Sequence, residues 1–208
     1  MSDHPIFILL TLAASIYLFR LWWEDLQAWR EGARSGQAFP GATTASLRWV
    51  LIAIAGALLL VGIETAGEYQ LGVVDEQSKV TAVMLLPFIC AGFIEEMIFR
   101  GFVFYDKKGP RVLWLSIVGA SLLFALLHVQ YYLEFPEDGG MVPEGFKSDA
   151  KSGWTLLILF FNSLWFYYVR FARWNPHWSL IPCIAAHVAS NVGVFAVKLA
   201  QGYVSGWW

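Results

Sequence analysis

Apolar residues occur along this chain in six long runs that are separated by shorter polar stretches. Each run holds about 20 residues, the length that an α-helix needs to cross the hydrocarbon core of a bilayer. The runs cover Pro5 to Trp23, Ala45 to Ile63, Thr81 to Phe104, Val112 to Leu133, Gly153 to Phe171 and Trp178 to Leu199. The pattern therefore predicts an all-α fold, a polytopic membrane helix bundle of about six transmembrane helices forming a single membrane domain over residues 1–208.

The composition agrees with lipid as the main solvent. Hydrophobic residues make up 58% of the 208 residues and charged residues 14%, against roughly 25% charged residues in an ordinary soluble domain. The formal net charge of −2 offers no basic surface, so nucleic acid is not expected as a partner. Both cysteines, Cys90 and Cys183, lie within apolar runs, and we expect them to be small buried side chains rather than a disulfide.

Lysine and arginine near the ends of the runs predict the orientation, because cytoplasmic loops are rich in these residues. Nine of them fall on one side of the predicted bundle: Arg20, Arg30, Arg34, Arg48, Lys107, Lys108, Arg111, Arg170 and Arg173. The opposite side has Lys79, Lys147, Lys151 and Lys198 together with most of the acidic residues. Both termini are therefore predicted to face away from the cytoplasm, and the compactness of the chain favours a bacterial inner (plasma) membrane.

The third run contains three charged residues, Glu95, Glu96 and Arg100. An ionisable side chain inside a span costs at least ~2.5 kcal/mol by insertion scales, so it must be paired, hydrated or functional. Glu96 and Arg100 lie four residues apart on one helical face and can form an ion pair. Glu95 points about 100° away from Glu96 and has no partner on its own helix. We therefore expect Glu95 to meet a polar group from another helix.

Such polar groups occur in the fourth and sixth runs. His128 and His187 are the only histidines within the runs, and Asn191 lies one helical turn after His187. A carboxylate in apolar surroundings takes up a proton more readily than in water, so Glu95 can activate a water molecule with the help of a neighbouring imidazole. The remaining histidine and the Asn191 amide can stabilise the oxyanion of a tetrahedral intermediate. These residues therefore indicate a mechanism that hydrolyses a peptide or amide bond inside the membrane.

Other functions are also compatible with these residues. Buried Glu and His residues also relay protons in transporters and channels, and this proton-coupled membrane transporter is the main alternative. Two histidines can bind haem axially in a redox subunit, and a scaffold role needs no chemistry at all. Zinc is a minority alternative, because two His and a Glu can bind it although the HExxH spacing of zinc proteases is absent.

Three motifs resemble those of the CPBP family, the CAAX protease and bacteriocin-processing group of intramembrane glutamyl endopeptidases. The pattern EExxxR begins at Glu95 and ends at Arg100, FxxxH runs from Phe124 to His128, and HxxxN runs from His187 to Asn191. Each motif lies in a separate apolar run, and residues 80–200 carry all three. Residues 1–79 hold two further spans and loops that match no motif.

The resemblance implies roles for these residues. Glu95 and His128 would activate the attacking water, His187 and Asn191 would form the oxyanion hole, and Glu96 and Arg100 would organise the site. Phe124 would pack beneath the catalytic cavity. No cofactor and no metal are implied, and the substrate would be a membrane-associated peptide or protein that can carry a lipid.

Helix geometry raises one conflict for this site. At ~1.5 Å per residue from the cytoplasmic ends of the runs, Glu95 and His187 lie at about 14 Å and His128 nearer 25 Å. We expect either that the fourth helix begins later, with Arg111 to Leu115 along the interface, or that the helices are tilted.

The polar stretches between the runs are expected to be exposed. Glu64 and Glu68 directly follow the second run and are expected in solvent. The stretch Glu134 to Ser152 contains Pro136, Gly139, Gly140, Pro143 and Gly145, which favour turns over helix. An ordinary exposed connector is predicted there, with a mobile cover as the alternative.

Overall fold

The computed structural model describes residues 5–33, 36–136 and 142–207. Six helices in these ranges are long and apolar enough to cross a membrane, which confirms the predicted helix bundle. Arg34 and the loop residues Gly139 and Gly140 lie outside the described residues. The helices are α1 (Pro5–Arg30), α2 (Leu47–Leu71), α3 (Leu85–Glu95), α4 (Pro110–Leu127), α5 (Ala150–Phe171) and α6 (Ile181–Ala200).

The third span is built from three kinds of helical turn. A 3₁₀ turn at Ala82–Met84 leads into α3, and a π-helical turn at Glu96–Arg100 continues it. Single π turns inside α-helices are rare and are frequent at functional sites. This one carries the EExxxR motif, so the backbone irregularity coincides with the charged residues of the span.

Two predicted boundaries are wrong in a way that matters for the site. The second helix was expected to end near Ile63, but α2 continues to Leu71 and ends at Gly72, which adopts the left-handed conformation (φ 69°) that favours glycine. The fourth was expected to end at Leu133, but α4 stops at Leu127. Hydropathy alone failed in both places, because charged residues continue α2 and apolar residues follow the end of α4.

The expectation that Glu64 and Glu68 are solvated is wrong for Glu68, whereas Glu64 is half-buried. Both lie within α2, and Glu68 is 3% exposed. Its carboxylate pairs with the Lys151 ammonium on α5 and accepts a hydrogen bond from the Gln77 side-chain amide. Paired in this way, the buried carboxylate ties α2 to α5 and to the segment before α3.

The connection between α4 and α5 contains more structure than the predicted connector. A short antiparallel pair joins β1 (Leu133–Glu134) to β2 (Gly145–Phe146). Asp149 then caps α5 by accepting a hydrogen bond from the Ser152 backbone N–H at 2.7 Å, and this bond lowers the pKa of the Asp149 carboxyl.

Helix α2 packs against α6 and α5, α3 packs between α1 and α6, and α4 packs against α5. Glycine allows α2 and α5 to approach closely at two places. The indole of Trp165 covers Gly56 and donates a hydrogen bond to the Ala53 carbonyl, and Trp154 lies in the same way over Gly67. The α2 surface at these glycines is therefore shaped to receive two tryptophan rings.

Replacing Gly56 by Ala should destabilise the bundle. The new Cβ would lie 2.2 Å from a ring carbon of Trp165, and overpacking of this kind typically costs about 1–3 kcal/mol. The measurement is thermal unfolding of the purified protein in detergent, followed by tryptophan fluorescence. Gly62→Ala on the same helix is the matched control, because its new Cβ would meet no atom within 4 Å apart from the neighbouring backbone of its own helix. Equal unfolding temperatures for the two variants would contradict the packing described.

Candidate active site

The site begins where α3 and α6 touch at Gly92. A Cβ on this residue would lie 2.9 Å from a side-chain methyl of Val188 and 3.1 Å from the Val188 backbone nitrogen. Only a glycine lets the two helices come this close. Because Glu95 and Glu96 follow Gly92 by about one turn and His187 precedes Val188, the close approach brings carboxylates and imidazole together.

Glu96 lies at the centre of the charged cluster. Its side chain is fully buried, and Oε1 lies 3.1 Å from Nη1 of Arg100 and 2.7 Å from Nδ1 of His187. Because the Glu96 carboxylate oxygen that also faces the guanidinium is an acceptor, the imidazole Nδ1–H donates this hydrogen bond. This contact fixes the ring of His187 with its Nε2 turned toward Glu95.

Arg100 is fully buried and is held by aromatic rings and by serine. Its guanidinium carbon lies between 4.7 and 5.8 Å from the ring centroids of Phe124, Tyr167, Phe166 and Phe99. Nη2 donates hydrogen bonds to the Ser163 hydroxyl at 2.8 Å and to the Ser163 carbonyl at 3.2 Å. Ring faces and hydroxyls replace the water that the cation would have at a surface.

Glu95 faces a different environment from its neighbour. Its side chain is 28% exposed, and Oε2 lies 3.8 Å from Nε2 of His187. The expectation that Glu95 needs a partner from another helix is met by this imidazole. Glu95 is therefore the member of the acidic pair that both reaches open space and lies near a histidine.

His128 directly follows the last residue of α4. Its Nδ1 lies 2.8 Å from the Phe124 carbonyl oxygen, which can only accept, so Nδ1 carries the proton and Nε2 is free to accept one. The Phe124 ring lies 4.7 Å from the His128 ring and 6.1 Å from the His187 ring. Phe124 thus stands between the two imidazoles and beside Arg100.

The sequence analysis placed Glu95 and His128 at different depths in the membrane, and the packing of α3 against α4 removes this conflict. The rings of Phe99 and Phe124 meet at 5.0 Å, and α3 and α4 run in opposite directions. His128 lies one turn after Phe124 and Glu95 one turn before Phe99, so both residues lie ~6 Å to the same side of that ring contact. The suggestion that the fourth helix begins late is wrong, since α4 already begins at Pro110. Its register against α3 sets the depth.

These side chains line one cavity of about 610 Å³. Glu95, Phe124, His128, His187 and Asn191 all contribute to its wall, whereas Glu96 and Arg100 lie buried beneath it. The Asn191 side-chain amide donates one hydrogen bond to the Phe88 carbonyl at 2.8 Å. This bond uses one of the two amide hydrogens. The residues of all three motifs therefore meet at a single place.

The family described as Type II CAAX prenyl endopeptidase Rce1-like matches residues 77–193. The matched stretch is 117 of the 208 residues, which is more than half of the chain. The chain belongs to this family. Comparison with curated proteins and with solved structures finds no match.

Membership in the Rce1-like family confirms the resemblance drawn from the motifs, because the matched stretch contains every motif residue from Glu95 to Asn191. The family is one of CAAX proteases, so a peptide-bond hydrolase of the membrane is the activity that membership implies. The first two spans lie outside the matched stretch, yet α2 lines the cavity through Val61 and Glu64.

The sequence patterns missed the contribution of α5 to this Rce1-like site. Phe166 stacks on the His187 ring at 4.8 Å with an interplanar angle of 21°. Ser163 binds Arg100, and the Tyr167 hydroxyl shares its one hydrogen between the Phe99 carbonyl at 2.9 Å and the Val103 carbonyl at 2.7 Å, in and just after the π turn. The sequence signal for this contribution was the pair Ser163 and Tyr167, two polar residues that lie four positions apart within an apolar run.

Replacing Arg100 by Gln should strongly destabilise the fold, because it leaves the buried Glu96 carboxylate without its cation. Breaking one side of a buried ion pair typically costs about 3–5 kcal/mol. Thermal unfolding in detergent measures the loss. The control is Arg20→Gln, which removes an exposed ion pair with Glu24 and is expected to have little effect.

A double variant separates charge from shape in this cluster. Glu96→Gln combined with Arg100→Gln removes both buried charges, so it should be less destabilised than Arg100→Gln alone. If the single variant unfolds at the wild-type temperature, or if the double variant is the less stable of the two, the cluster is not held by the ion pair.

Proposed function

We propose that this chain is a glutamyl intramembrane endopeptidase, which hydrolyses a peptide bond of a membrane-associated substrate without a metal. One observation carries the proposal: the Glu95 carboxylate, His128 and His187 share a cavity that has the buried Glu96–Arg100 pair as its floor. A partly exposed acid that shares a cavity with two imidazoles is suited to the activation of water within a membrane.

In the proposed reaction, Glu95 and His128 activate the attacking water. The water oxygen bonds to the carbonyl carbon of the scissile peptide while Glu95 takes its proton. The Nε2 of His128 can accept a hydrogen bond from the same water, since Nδ1 already donates to the Phe124 carbonyl. The C–N bond of the tetrahedral intermediate then breaks, and the proton held by Glu95 passes to the leaving amine.

His187 and Asn191 would hold the oxyanion of that intermediate. Donation from Nε2 of His187 requires the imidazolium, and the Glu96 carboxylate at Nδ1 supplies the counter-charge while Glu95 holds the proton of the water. Asn191 has one amide hydrogen left after its bond to Phe88. Such preorganised donors stabilise developing charge most effectively where water is scarce.

Glu96, Arg100 and Phe124 would act by positioning. Glu96 fixes the ring orientation of His187, in the way that a buried carboxylate orients a catalytic histidine in hydrolases. Arg100 neutralises Glu96, and Phe124 separates the two imidazoles from the cation below. These three residues touch the catalytic groups rather than the substrate.

The substrates of the family are membrane-associated, prenylated proteins, and we propose a membrane-associated substrate for this chain as well. We also propose a bacterial inner membrane as its location, with both termini outside the cytoplasm. The orientation is supported by the exposed Lys and Arg residues at the α1–α2, α3–α4 and α5–α6 connections.

Glu95→Gln, His128→Ala and His187→Ala should each reduce hydrolysis by at least 100-fold, the contribution typical of a general base. The assay incubates membranes that contain each variant with one CAAX-terminated peptide in farnesylated and unmodified forms, and mass spectrometry measures the released fragment. His177→Ala is the matched control, because His177 does not line the cavity described. Thermal unfolding verifies that each variant is folded.

Wild-type cleavage rates in the folded Glu95→Gln variant would refute the assignment of the base. Failure of the wild type to cut either form of the peptide would refute a CAAX-terminated substrate. Preference for the farnesylated form would support a lipid-binding role for the apolar part of the cavity.

A chelator should leave the activity intact, because the proposed base is a carboxylate rather than a zinc-bound water. Among the described residues, no three His, Cys, Asp or Glu side chains are grouped so as to hold a metal ion. The measurement is the cleavage rate before and after treatment with EDTA or 1,10-phenanthroline. Inhibition that added zinc reverses would reinstate a metal-assisted mechanism.

A further inference from the structure

We infer that the side-chain amide of Asn162 on α5 binds the backbone of the substrate next to the scissile bond. The three motifs do not include this residue, and the proposed reaction gives it no part. The inference rests on the proposed function for its chemistry, whereas the position of the amide follows from the structure alone.

Asn162 is a buried polar residue whose side-chain oxygen has no partner within the described chain. The residue lies in the wall of the cavity that holds Glu95, His128 and His187, and it is 7% exposed. Its Oδ1 is itself buried and accepts no hydrogen bond from any described residue. Most buried side-chain polar atoms in native proteins have such a partner, and an amide inside a membrane span is costly without one. We therefore expect this amide to bind a group from outside the chain.

Asn175 is the contrasting case of a buried asparagine that serves the fold. Its Nδ2 lies within hydrogen-bond distance of the carbonyl oxygens of Val169, Arg170 and Ser179. Its Oδ1 accepts a hydrogen bond from the Ser179 backbone N–H at 2.9 Å. Both ends of the Asn175 amide are thus engaged by the fold, and this sets Asn162 apart from it.

Asn162 lies at the same depth as Asn191, which we assign to the oxyanion. Helices α5 and α6 run in opposite directions, and the Phe166 ring of α5 stacks on the His187 ring of α6 at 4.8 Å. Asn162 lies one turn before Phe166 and Asn191 one turn after His187, so both amides lie ~6 Å to the same side of that stack. Both line the same cavity. A substrate whose scissile carbonyl is held by Asn191 therefore passes the Asn162 amide.

A peptide backbone is the part of the substrate that matches a side-chain amide. Asparagine offers one acceptor oxygen and two N–H donors, and each peptide group offers one donor and one acceptor. In an extended segment, successive peptide groups point to alternate edges of the chain, so a segment bound along one edge by Asn191 presents its other edge to a second wall. Ile158, Leu159 and Phe166 beside Asn162 in the α5 wall are apolar. The amide is therefore the group of this stretch that can bind a backbone, and it does so without selecting a side chain.

Thermal unfolding in detergent tests whether the Asn162 amide serves the fold instead. Asn162→Ala removes a polar group that has no partner in the fold, so it should unfold close to the wild-type temperature. Asn175→Ala is the matched control, and it should unfold at a clearly lower temperature because carbonyl groups lose their donor. A loss of stability in Asn162→Ala equal to that in Asn175→Ala would overturn the inference.

Peptide binding tests the contact without cleavage. In the Glu95→Gln background, a labelled, farnesylated CAAX-terminated peptide stays intact, and fluorescence anisotropy measures its dissociation constant. Adding Asn162→Ala should raise this constant about 10-fold, the effect of losing one or two hydrogen bonds in a buried site. Asn162→Gln, which keeps the amide, should restore part of the affinity. Equal dissociation constants with and without Asn162→Ala would overturn the inference.

Cleavage kinetics with Glu95 intact locate the contact in the reaction. Asn162→Ala should raise KM about 10-fold and leave kcat unchanged, since a backbone contact is present in both the bound substrate and the transition state. A fall in kcat at unchanged KM would assign the amide to the oxyanion and overturn the inference. If the wild type cleaves nothing although Asn162→Ala weakens peptide binding, the proposed function fails and the backbone contact stands.

Discussion

The site depends on the burial of one ion pair. Glu96 and Arg100 are fully buried, and each is held by neighbours from other helices. His187 from α6 contacts the carboxylate, and Ser163 and aromatic rings from α4 and α5 contact the guanidinium. Because a buried charge without its partners is so costly, four helices are fixed relative to one another around this pair. The positions of the proposed catalytic groups follow from that constraint.

This arrangement separates two adjacent acids by environment. Glu96 is sealed beneath the cavity and its charge is compensated, while Glu95 turns by about 100° on the same helix and reaches the cavity. Sequence neighbours thus take different parts, one orienting an imidazole and the other available to a substrate. The close approach at Gly92 makes this possible, since a larger residue would hold α6 and its histidine away.

The sequence was most informative where polar side chains occur in segments that lie in lipid. Charged and imidazole side chains in apolar runs are expensive, so Glu95, Glu96, Arg100, His128 and His187 could be selected without coordinates, and helical spacing was enough to pair Glu96 with Arg100. The six spans followed from hydropathy. Apolar neighbours such as Phe166 could not be selected, because in the sequence a phenylalanine that stacks on the imidazole of His187 does not differ from any other phenylalanine in a span.

Helix ends were the weakest predictions, for a physical reason. Hydropathy measures the compatibility of a segment with lipid. It does not report that Glu68 of α2 is neutralised by Lys151, nor that α4 ends at Leu127 although apolar residues follow. That early end places His128 directly after the helix, where its Nδ1 bonds to the Phe124 carbonyl. Depth within the membrane is set by interhelical register, which a single sequence does not carry.

The central claim is that the Glu95 carboxylate makes this chain a peptidase in its own membrane. Comparative mass spectrometry of membrane peptides, from cells that carry either wild-type or Glu95→Gln protein at equal abundance, tests it most directly. The account predicts new peptide termini that are present with the wild type and absent with the variant. Identical sets of peptide termini in the two membranes would contradict it.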